Sequence, residues 1–517
     1  MQLYTEKDVE LFDKYAKDII TGIEKKKLNT FEPTKKEIME ANDVVMEFVK
    51  SHKRKIYGGY AQNKIIVDKN KKDAFYDDDD IPDIDVYSPE PLKDLVELCD
   101  ILLKKGFKNI IGQEALHKET YKIFVNQANV IDLSYVPRNI YNKIPFIEID
   151  NINYTHPSFV YIDFYRMMTE PYFSSFRWEK IFPRLYKLQK YYPFNKASKE
   201  LNKSYDVPNN KKEIVTKINK IIYENIINKL NIIVVGQYAY NYFLEESGIL
   251  KNKQMLKKYK LINTPFIQLV STNYIPDTID IIQNIKKNLN DDKKITYVEF
   301  YPLWMFTGYS TVAYYDGFPI LHITAHNNRC IPIRTVPAKF YNGLSDKIET
   351  DNKSFINLGS FDFTLLMNLI SGLRVKINAI EEKQHYHNIM TSHLVEMRNY
   401  YLEKNNKTLL DESLFKSFIA ECIGETMDPI RESRLIKDKK YKEGKLVLFK
   451  YNPEKPKSAP DFKFANTSGN EILYEKNLKI KKYFNNPNLL EEFNKKSYDE
   501  KIEETSDETI DDSNGID

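Results

Sequence analysis

The chain has 517 residues, of which 42% are hydrophobic and 29% charged. This composition excludes a fibrous or wholly disordered protein, and the length predicts two or three domains. The formal net charge of +3 hides an asymmetry, because residues 499–517 hold nine acidic residues and one lysine and so carry −8, which leaves +11 for the rest. A basic body favours a polyanionic partner such as nucleic acid. No apolar run reaches the roughly 18 residues of a membrane span, and the N-terminus lacks a secretory pattern, so we expect no membrane partner.

The first 50 residues predict helices. Apolar residues recur at helical spacing over residues 5–25, and a second helix is expected to begin at Thr34, because Thr34 and Glu37 have the spacing of a capping box. From residue 55 to about residue 150, short β-like runs alternate with one clear helix. The runs are 55–57, 83–88, 121–125 and 129–136, and the helix is 92–105. This order predicts a small mixed sheet with helices on one side.

The following part of the chain repeats these patterns in the same order. YGGYAQN at 57–63 resembles VGQYAYN at 235–241, and the strand, turn and helix of 83–106 return at 266–289. The next three segments of the first stretch also have counterparts in the second, in the same order. They are YKIFVNQ, NVIDLSY and IDFYRMMTE in the first stretch and YSTVAYY, PILHITA and FDFTLLMNLI in the second. The separation of about 180–200 residues is far longer than a solenoid period. We therefore interpret the second stretch as a copy of the first.

Beyond residue 370 the pattern is helical, with helices expected at 385–402 and 414–422 and a strand at 445–451. The acidic end from about residue 499 is expected to be disordered.

The cysteines are far apart and show no CxxC spacing. Cys99, Cys330 and Cys422 are therefore predicted to be free thiols in a reducing, intracellular compartment. His322, His326 and Cys330 recur at four-residue intervals, but in a strand and a loop they would not share one helical face, so zinc is not predicted.

Carboxylates at alternating positions suggest a metal site. Asp83 and Asp85 follow Pro82 in a β-like run, so both side chains are expected on one face while Ile84 enters the core. Asp132 repeats the design and would be a third ligand if its strand lay beside the strand 83–88. Carboxylate oxygens suit hard divalent cations, and three carboxylates can hold two ions, the arrangement for in-line nucleotidyl transfer.

Gly58 and Gly59 stand between a predicted strand and a predicted helix. Glycines at such a turn let backbone amides approach a phosphate, and a helix N-terminus adds partial positive charge. The sequence has neither the GK[ST] of a Walker A loop nor the third glycine of a GxGxxG motif at this point.

Together, Gly58-Gly59, the DxD of 83–85 and Asp132 resemble the DNA polymerase β-type nucleotidyltransferase superfamily. The interval between the glycines and the DxD is longer than usual there, which the polar insert at 68–80 explains. HPSFVYIDFYRMMTEP (156–171) and FRWEKIFPRL (176–185) resemble the catalytic subunit of poxvirus and giant-virus (mimivirus-like) poly(A) polymerases.

The resemblance implies an α+β fold: a nucleotidyltransferase domain with a mixed sheet, a degenerate second copy, and helical additions. We expect an N-terminal helical region at 1–50, the catalytic domain at 51–195, the degenerate copy with its helices at 196–460, and an extended acidic tail at 461–517. In the second copy Phe266 and Gln268 stand opposite the DxD carboxylates, His322 stands opposite Asp132, and only Gly236 remains of the glycine pair. That copy is therefore expected to lack the chemistry.

The resemblance further implies a template-independent poly(A) polymerase that adds AMP from ATP to RNA 3′ ends with two ions of Mg²⁺ or Mn²⁺. Asp83, Asp85 and Asp132 would hold the metal ions. The nucleotide phosphates would meet the backbone of the two glycines, and the triphosphate or RNA backbone would meet basic side chains on one helix face and near it. These nucleotide-binding residues are Gly58, Gly59, Arg166, Arg177 and Lys180.

Two kinds of alternative remain open at this point. One is another terminal RNA nucleotidyltransferase, such as a uridylyl-adding, CCA-adding or oligoadenylate synthetase-like enzyme. The other is a non-catalytic RNA-binding scaffold of the same fold. The family also implies a homodimer or a cap-methyltransferase processivity subunit as partner, and a location in the host cytoplasm, at the viral factory, and in the virion.

Overall fold

The computed structural model describes residues 3–30, 33–77, 80–116, 119–196, 201, 207–262, 264–289, 292–326, 329–341, 347–348, 354–377, 381–443, 449–455 and 474–475. The predicted disordered end from residue 499 lies outside these residues, as does most of the predicted strand at 445–451.

The helices are α1 (Glu6–Thr30), α2 (Lys35–Ser51), α3 (Gly58–Lys69), α4 (Pro91–Lys104), α5 (Arg138–Tyr141), α6 (Pro157–Met168), α7 (Pro171–Ser174), α8 (Trp178–Tyr191), α9 (Lys212–Ile226), α10 (Gly236–Glu246), α11 (Tyr274–Leu289), α12 (Phe361–Ile377), α13 (Glu381–Lys404) and α14 (Pro429–Lys442). No helix in the described part of the chain combines the length and the apolar character that a membrane crossing requires.

The strands are β1 (Lys55–Tyr57), β2 (Asp85–Ser88), β3 (Ile111–Glu114), β4 (Thr120–Val125), β5 (Ala128–Tyr135), β6 (Phe146–Ile149), β7 (Ile152–Thr155), β8 (Ile232–Val235), β9 (Ile267–Ser271), β10 (Ile295–Phe300), β11 (Ser310–Tyr315), β12 (Phe318–Ala325), β13 (Ile331–Pro337), β14 (Phe340–Tyr341), β15 (Lys347–Ile348), β16 (Phe355–Gly359), β17 (Cys422–Ile423), β18 (Lys450–Tyr451) and β19 (Tyr474–Glu475).

The chain divides into two compact units. Unit 1 comprises residues 1–136, 144–156 and 433–467, and unit 2 comprises 137–143, 157–432 and 468–517. The domain boundaries expected from the sequence, at residues 50, 195 and 460, remain a prediction.

Unit 1 is built on one mixed sheet with the strand order β18-β3-β4-β5-β2-β1-β7-β6. Helix α4 packs against this sheet because Leu95, Leu98 and Leu102 recur at three- and four-residue intervals and are buried. Helix α2 begins where the capping box predicts, since the Thr34 hydroxyl accepts a hydrogen bond from the Glu37 amide at 3.3 Å.

Unit 2 is built on a second sheet with the order β17-β13-β16-β8-β9-β12-β11-β10-β19. Its helices α10, α12 and α13 pack on one another. Aromatic side chains fill this core, among them Tyr238, Tyr240, Phe243 and Phe415, all fully buried.

The two sheets confirm the internal repeat. The order β3-β4-β5-β2-β1-β7 in unit 1 corresponds to β10-β11-β12-β9-β8-β16 in unit 2. Each corresponding pair of strands also has the same orientation, for example β2 parallel to β5 and β9 parallel to β12. A register shift occurs at the same place in both hairpins, between Ile123 and Phe124 and between Ala313 and Tyr314.

Two sequence-based expectations about elements are wrong. The strand expected at 83–88 begins only at Asp85, so the alternation of a strand does not fix the direction of the Asp83 side chain. No helix forms at 414–422, where the chain runs through turns into β17. There Phe418 adopts a positive φ of 55°, and Phe415 stacks among the rings of Phe361 and Tyr401, so tertiary packing overrides the local helical pattern.

Candidate active site

The centre of the unit 1 sheet brings two of the three candidate aspartates together. Strands β2 and β5 are parallel neighbours, and Asp85 is paired directly with Asp132. The Asp132 amide also donates to the Ile84 carbonyl at 2.9 Å. Paired residues on adjacent strands have side chains on the same face, so both carboxylates emerge from one face while Ile84 and Val86 are buried.

Asp83 lies two residues before Asp85 and outside the strand, and its side chain is exposed to solvent. In the described part of the chain, no group of three His, Cys, Asp or Glu side chains is close enough to hold a metal ion. The structure therefore places Asp85 and Asp132 side by side and leaves Asp83 apart from them, and the roles of all three as metal ligands remain a prediction.

Gly58 is the first residue of α3 and lies against Asp85. Its φ of 72° is a backbone conformation that residues with a side chain rarely adopt. A Cβ at this position would overlap the Asp85 carboxylate. Strand β1 pairs with β2 so that Tyr57 lies opposite Asp85, which fixes this approach. The requirement for glycine here thus comes from the carboxylate, and not only from the phosphate that the sequence suggested.

The N-terminus of α3 lies next to this carboxylate face. Gly58 and Gly59 form its first turn, and Tyr57 makes no side-chain capping bond. The first amides of a helix have no partner within the helix, so they can bind an anion. The phosphate-binding roles of Gly58 and Gly59 remain a prediction.

Lys122 is a member of this site that the sequence did not suggest. It lies opposite Asp132 on β4, and its ammonium group donates to both carboxylate oxygens, at 2.8 and 2.6 Å. Asn129 donates a further hydrogen bond to Asp132 at 2.8 Å. The side chains of Lys122 and Asp132 are 31% and 15% exposed, so the pair is only partly screened by water. Asp132 therefore binds a cationic group in this structure.

The basic residues named from the sequence all belong to unit 2. Arg166, on α6, forms an ion pair with Asp163 at 2.8 Å. Arg177 precedes α8 and lies over the ring of Phe176, and Lys180 is exposed on that helix. Their roles in binding the triphosphate or RNA remain predictions.

The corresponding positions in unit 2 have lost their carboxylates. The register places Gln268 where unit 1 has Asp85, and His322, paired with Gln268, where unit 1 has Asp132. Gly236 repeats Gly58, with a φ of 68° and a Cβ position that would overlap Gln268. The predicted correspondence of the two copies is thus confirmed residue by residue at these positions.

A guanidinium group takes part in this second site. Arg374 donates to Nε2 of His322 at 3.3 Å and to the Ser310 hydroxyl at 3.2 Å, while Phe266 stacks on the His322 ring. Burial, reinforced by the charge of Arg374, lowers the pKa of His322 to about 3, so the imidazole is neutral and can accept this bond. Burial also lowers the pKa of Arg374 to about 10.

The expectation of free thiols is wrong for two of the three cysteines. Strands β13 and β17 are paired so that Cys330 and Cys422 come within 5.3 Å between their Cα atoms, and their sulfurs form a disulfide. Cys99 is a buried free thiol, as predicted. The sequence showed no pattern for this pairing because the two residues are 92 positions apart.

The fold is that of a nucleotidyltransferase. The crystal structure of the Megavirus polyadenylate synthase is similar, with a TM-score of 0.77 and 33% identity over 89% of this chain and 88% of that one. Residues 43–174 match the family model "Poly(A) polymerase catalytic subunit", and residues 186–482 match "APMV, Putative poly(A) polymerase, catalytic subunit, C-terminal".

Two curated relatives carry the same description, "Putative poly(A) polymerase catalytic subunit". The protein of Acanthamoeba polyphaga mimivirus is 36% identical over 94% of this chain and 86% of its own length. That of African swine fever virus is 34% identical over 30% of this chain and 34% of its own length. The chain belongs to the family of viral poly(A) polymerase catalytic subunits, and it is an adenylyltransferase.

Proposed function

We propose that this chain extends RNA 3′ ends with AMP from ATP, without a template, in a reaction that uses two divalent ions, Mg²⁺ or Mn²⁺, held by Asp83, Asp85 and Asp132. The observation that carries the proposal is the direct pairing of Asp85 with Asp132 on adjacent parallel strands. The N-terminus of α3 beside them supports it, because that helix end suits the phosphates of a nucleotide.

The residues present fit a hard divalent cation. Their donor atoms are carboxylate oxygens, which Mg²⁺ and Mn²⁺ prefer. Asp132 binds the Lys122 ammonium group through both carboxylate oxygens, so a metal ion at Asp132 would take the place of that ammonium group. Asp83 is exposed and outside the regular strand, so it can turn toward the other two carboxylates without breaking a ladder hydrogen bond.

The reaction joins the RNA 3′ oxygen to the α-phosphorus of ATP, breaks the bond from that phosphorus to the bridging oxygen, and releases pyrophosphate. The 3′-hydroxyl proton passes to solvent. Bound metal ions supply the lowered pKa of the 3′-hydroxyl and neutralise charge on the phosphates. The chain holds these groups in line, with the backbone at Gly58 and Gly59 next to the phosphates and Arg166, Arg177 and Lys180 as candidate contacts to the triphosphate or RNA.

The partners follow from this reaction. ATP and an RNA 3′ end are the substrates. Because the relatives are described as catalytic subunits, a second subunit is also part of the proposal, either another copy of this chain or a cap-methyltransferase that confers processivity. Sizing the purified chain and measuring tail length without any added protein separates these two partners. We also propose, on the family resemblance alone, that the protein acts in the host cytoplasm at the viral factory and is packaged in the virion.

The proposal is tested by Asp83→Asn and Asp85→Asn. Each should lower ATP-dependent extension of a labelled RNA by about a thousandfold or more, because loss of a metal ligand removes stabilisation specific to the transition state. Asp77→Asn is the matched control, since this exposed carboxylate lies in the acidic loop just before Pro82. The control should keep near-normal activity. Unchanged metal-dependent extension by Asp85→Asn would overturn the assignment.

A further inference from the structure

Unit 2 contains a partly open pocket on the same sheet as the degenerate site. Arg166 on α6, Arg329 just before β13, and His326 just after β12 line it together with Thr307 and Thr324. The other lining side chains are mostly apolar, and no Asp or Glu side chain that the structure describes is among them. The charged lining groups are therefore the two arginines, of which Arg166 is ion-paired with Asp163 at 2.8 Å.

The Arg329 guanidinium in this pocket lacks a direct partner among the described residues. Its guanidinium makes no hydrogen bond and no ion pair with any side chain that the structure describes, although the carboxylates of Glu170, Asp163 and Glu432 act on it from a distance. Burial, reinforced by the charge of Arg166, lowers the pKa of Arg329 to about 9. A buried guanidinium without a partner is costly, and an anion that accepts its fork of N–H groups would remove that cost.

Two further polar groups face the same space. The Nε2 atom of His326 is buried and has no hydrogen-bond partner among the described residues. The Thr307 hydroxyl oxygen accepts bonds from the Leu303 amide, at 3.3 Å, and from Arg374, at 3.1 Å. Because both bonds use its lone pairs, the Thr307 hydroxyl proton is left to donate. Hydrogen-bonding groups on three separate segments thus converge on the pocket.

The pocket lies next to the position of the lost active site. His322, Thr324 and His326 follow one another at two-residue intervals along β12 and its end, so they share one face. His322 stands where unit 1 has Asp132. Arg374 joins the two places, because it donates both to His322 and to Thr307. Where unit 1 presents carboxylates that suit cations, unit 2 presents arginines and neutral donors.

We propose that the degenerate copy is a phosphate-binding site, in which Arg329, with Arg166, Thr307 and His326 around it, takes a phosphate group of a free pyrophosphate or nucleotide or of the RNA backbone. An entering anion also favours the protonated form of His326, whose Nε2–H then donates to it. Binding of the phosphate group at this site needs no metal ion.

The test measures binding to the full-length chain in EDTA, so that it does not depend on catalysis. Pyrophosphate is titrated by calorimetry, and a labelled oligoadenylate RNA by fluorescence anisotropy. Arg329→Gln should weaken the binding of pyrophosphate, of RNA or of both by about tenfold or more, because charge-assisted hydrogen bonds to the phosphate group are lost. The ligand whose affinity falls shows whether the bound phosphate group comes from free pyrophosphate or from the RNA backbone. Arg431→Gln, which removes the same charge from an exposed position of α14, should stay within twofold of the wild type.

Arg329→Lys covers the case in which Arg329→Gln does not fold. This variant keeps the positive charge but loses the planar fork of N–H groups, so its affinity for the ligand should lie between those of the wild type and Arg329→Gln. If Arg329→Lys folds and Arg329→Gln does not, the affinity of Arg329→Lys should still be well below that of the wild type. Equal affinities of the wild type and a folded Arg329 variant for both ligands would overturn the proposal. Because the binding test contains no metal, it does not depend on catalysis, and failure of RNA extension in a separate assay would bear only on the proposed function.

Discussion

At the scale of single residues, Gly58 and Lys122 determine how Asp85 and Asp132 are presented. Gly58 allows the backbone to pass beside the Asp85 carboxylate, and the same arrangement recurs at Gly236 and Gln268 in unit 2. Lys122 neutralises Asp132 by binding both of its oxygens. Both residues contact a carboxylate in the structure, so the effect of each on stability is measurable apart from catalysis.

Gly58→Ala and Gly236→Ala form a matched pair for the role of this contact. Both should lower the free energy of unfolding by about 2 kcal/mol or more, because alanine is strained at positive φ and its Cβ would displace the facing side chain. Only Gly58→Ala displaces a predicted metal ligand, so it should also lower extension per folded molecule. Chemical denaturation and an extension assay normalised to folded protein measure the two effects. Equal loss of specific activity in both variants would contradict this account.

Lys122→Met tests whether Lys122 and a metal ion bind the same carboxylate, that of Asp132. In EDTA it should lower the free energy of unfolding by about 1–2 kcal/mol, a modest loss because Lys122 is 31% exposed. Added Mg²⁺ should then raise the melting temperature of this variant more than that of the wild type, since the ion replaces the missing positive charge. Thermal unfolding with and without Mg²⁺ measures both. Identical shifts in the two proteins would argue against a metal at Asp132.

At the scale of elements, the alternation of residues along the strands and the internal repeat could be predicted from the sequence. The register in which neighbouring strands pair could not. The β4–β5 hairpin closes at residues 125–128, and a simple register from that turn would place Lys122 opposite Ile131. The irregularity between Ile123 and Phe124 shifts the pairing by one residue and places Lys122 opposite Asp132. A one-residue shift exchanges the two faces of a strand, so the partner of Asp132 could not be predicted from spacing alone.

Other elements show the same division between local and tertiary causes. The N-terminal limit of α2 followed from Thr34 and Glu37, because a capping box is a local interaction. The helix expected at 414–422 does not form, because Phe415 packs in an aromatic cluster with residues that are distant in the sequence. The disulfide of β13 and β17 likewise depends on strand pairing across 92 residues.

That disulfide should contribute measurably to the stability of unit 2. Cys422→Ser, or reduction of the wild type, should lower the free energy of unfolding by about 2–5 kcal/mol, because the bond closes a long loop in the unfolded chain. Melting temperatures are compared with and without dithiothreitol. The wild type should melt lower in the reductant, and Cys422→Ser should melt at one temperature in both conditions. A wild type that does not respond to the reductant would show that the bond is absent or without effect on stability.

At the scale of the whole molecule, the chain consists of two copies of one strand order that differ in the charge of the equivalent site. Asp85 and Asp132 in unit 1 correspond to Gln268 and His322 in unit 2. One copy therefore retains two carboxylates that are predicted to hold a metal, and the other has a guanidinium, Arg374, bonded to His322. This division was predictable because the copies align in sequence. The cationic pocket was not, because Arg166 and Arg329 are far apart in the chain and meet only in the fold.

Each chain is proposed to be an enzyme with a single active site that extends RNA with adenylate. The most direct measurement is incubation of the purified chain and a short labelled RNA with each of the four nucleoside triphosphates separately, in Mg²⁺ and in Mn²⁺. Extension by ATP alone, abolished in Asp85→Asn, is the predicted result. Extension by UTP or CTP in preference to ATP, or no extension with any nucleotide, would contradict the central claim.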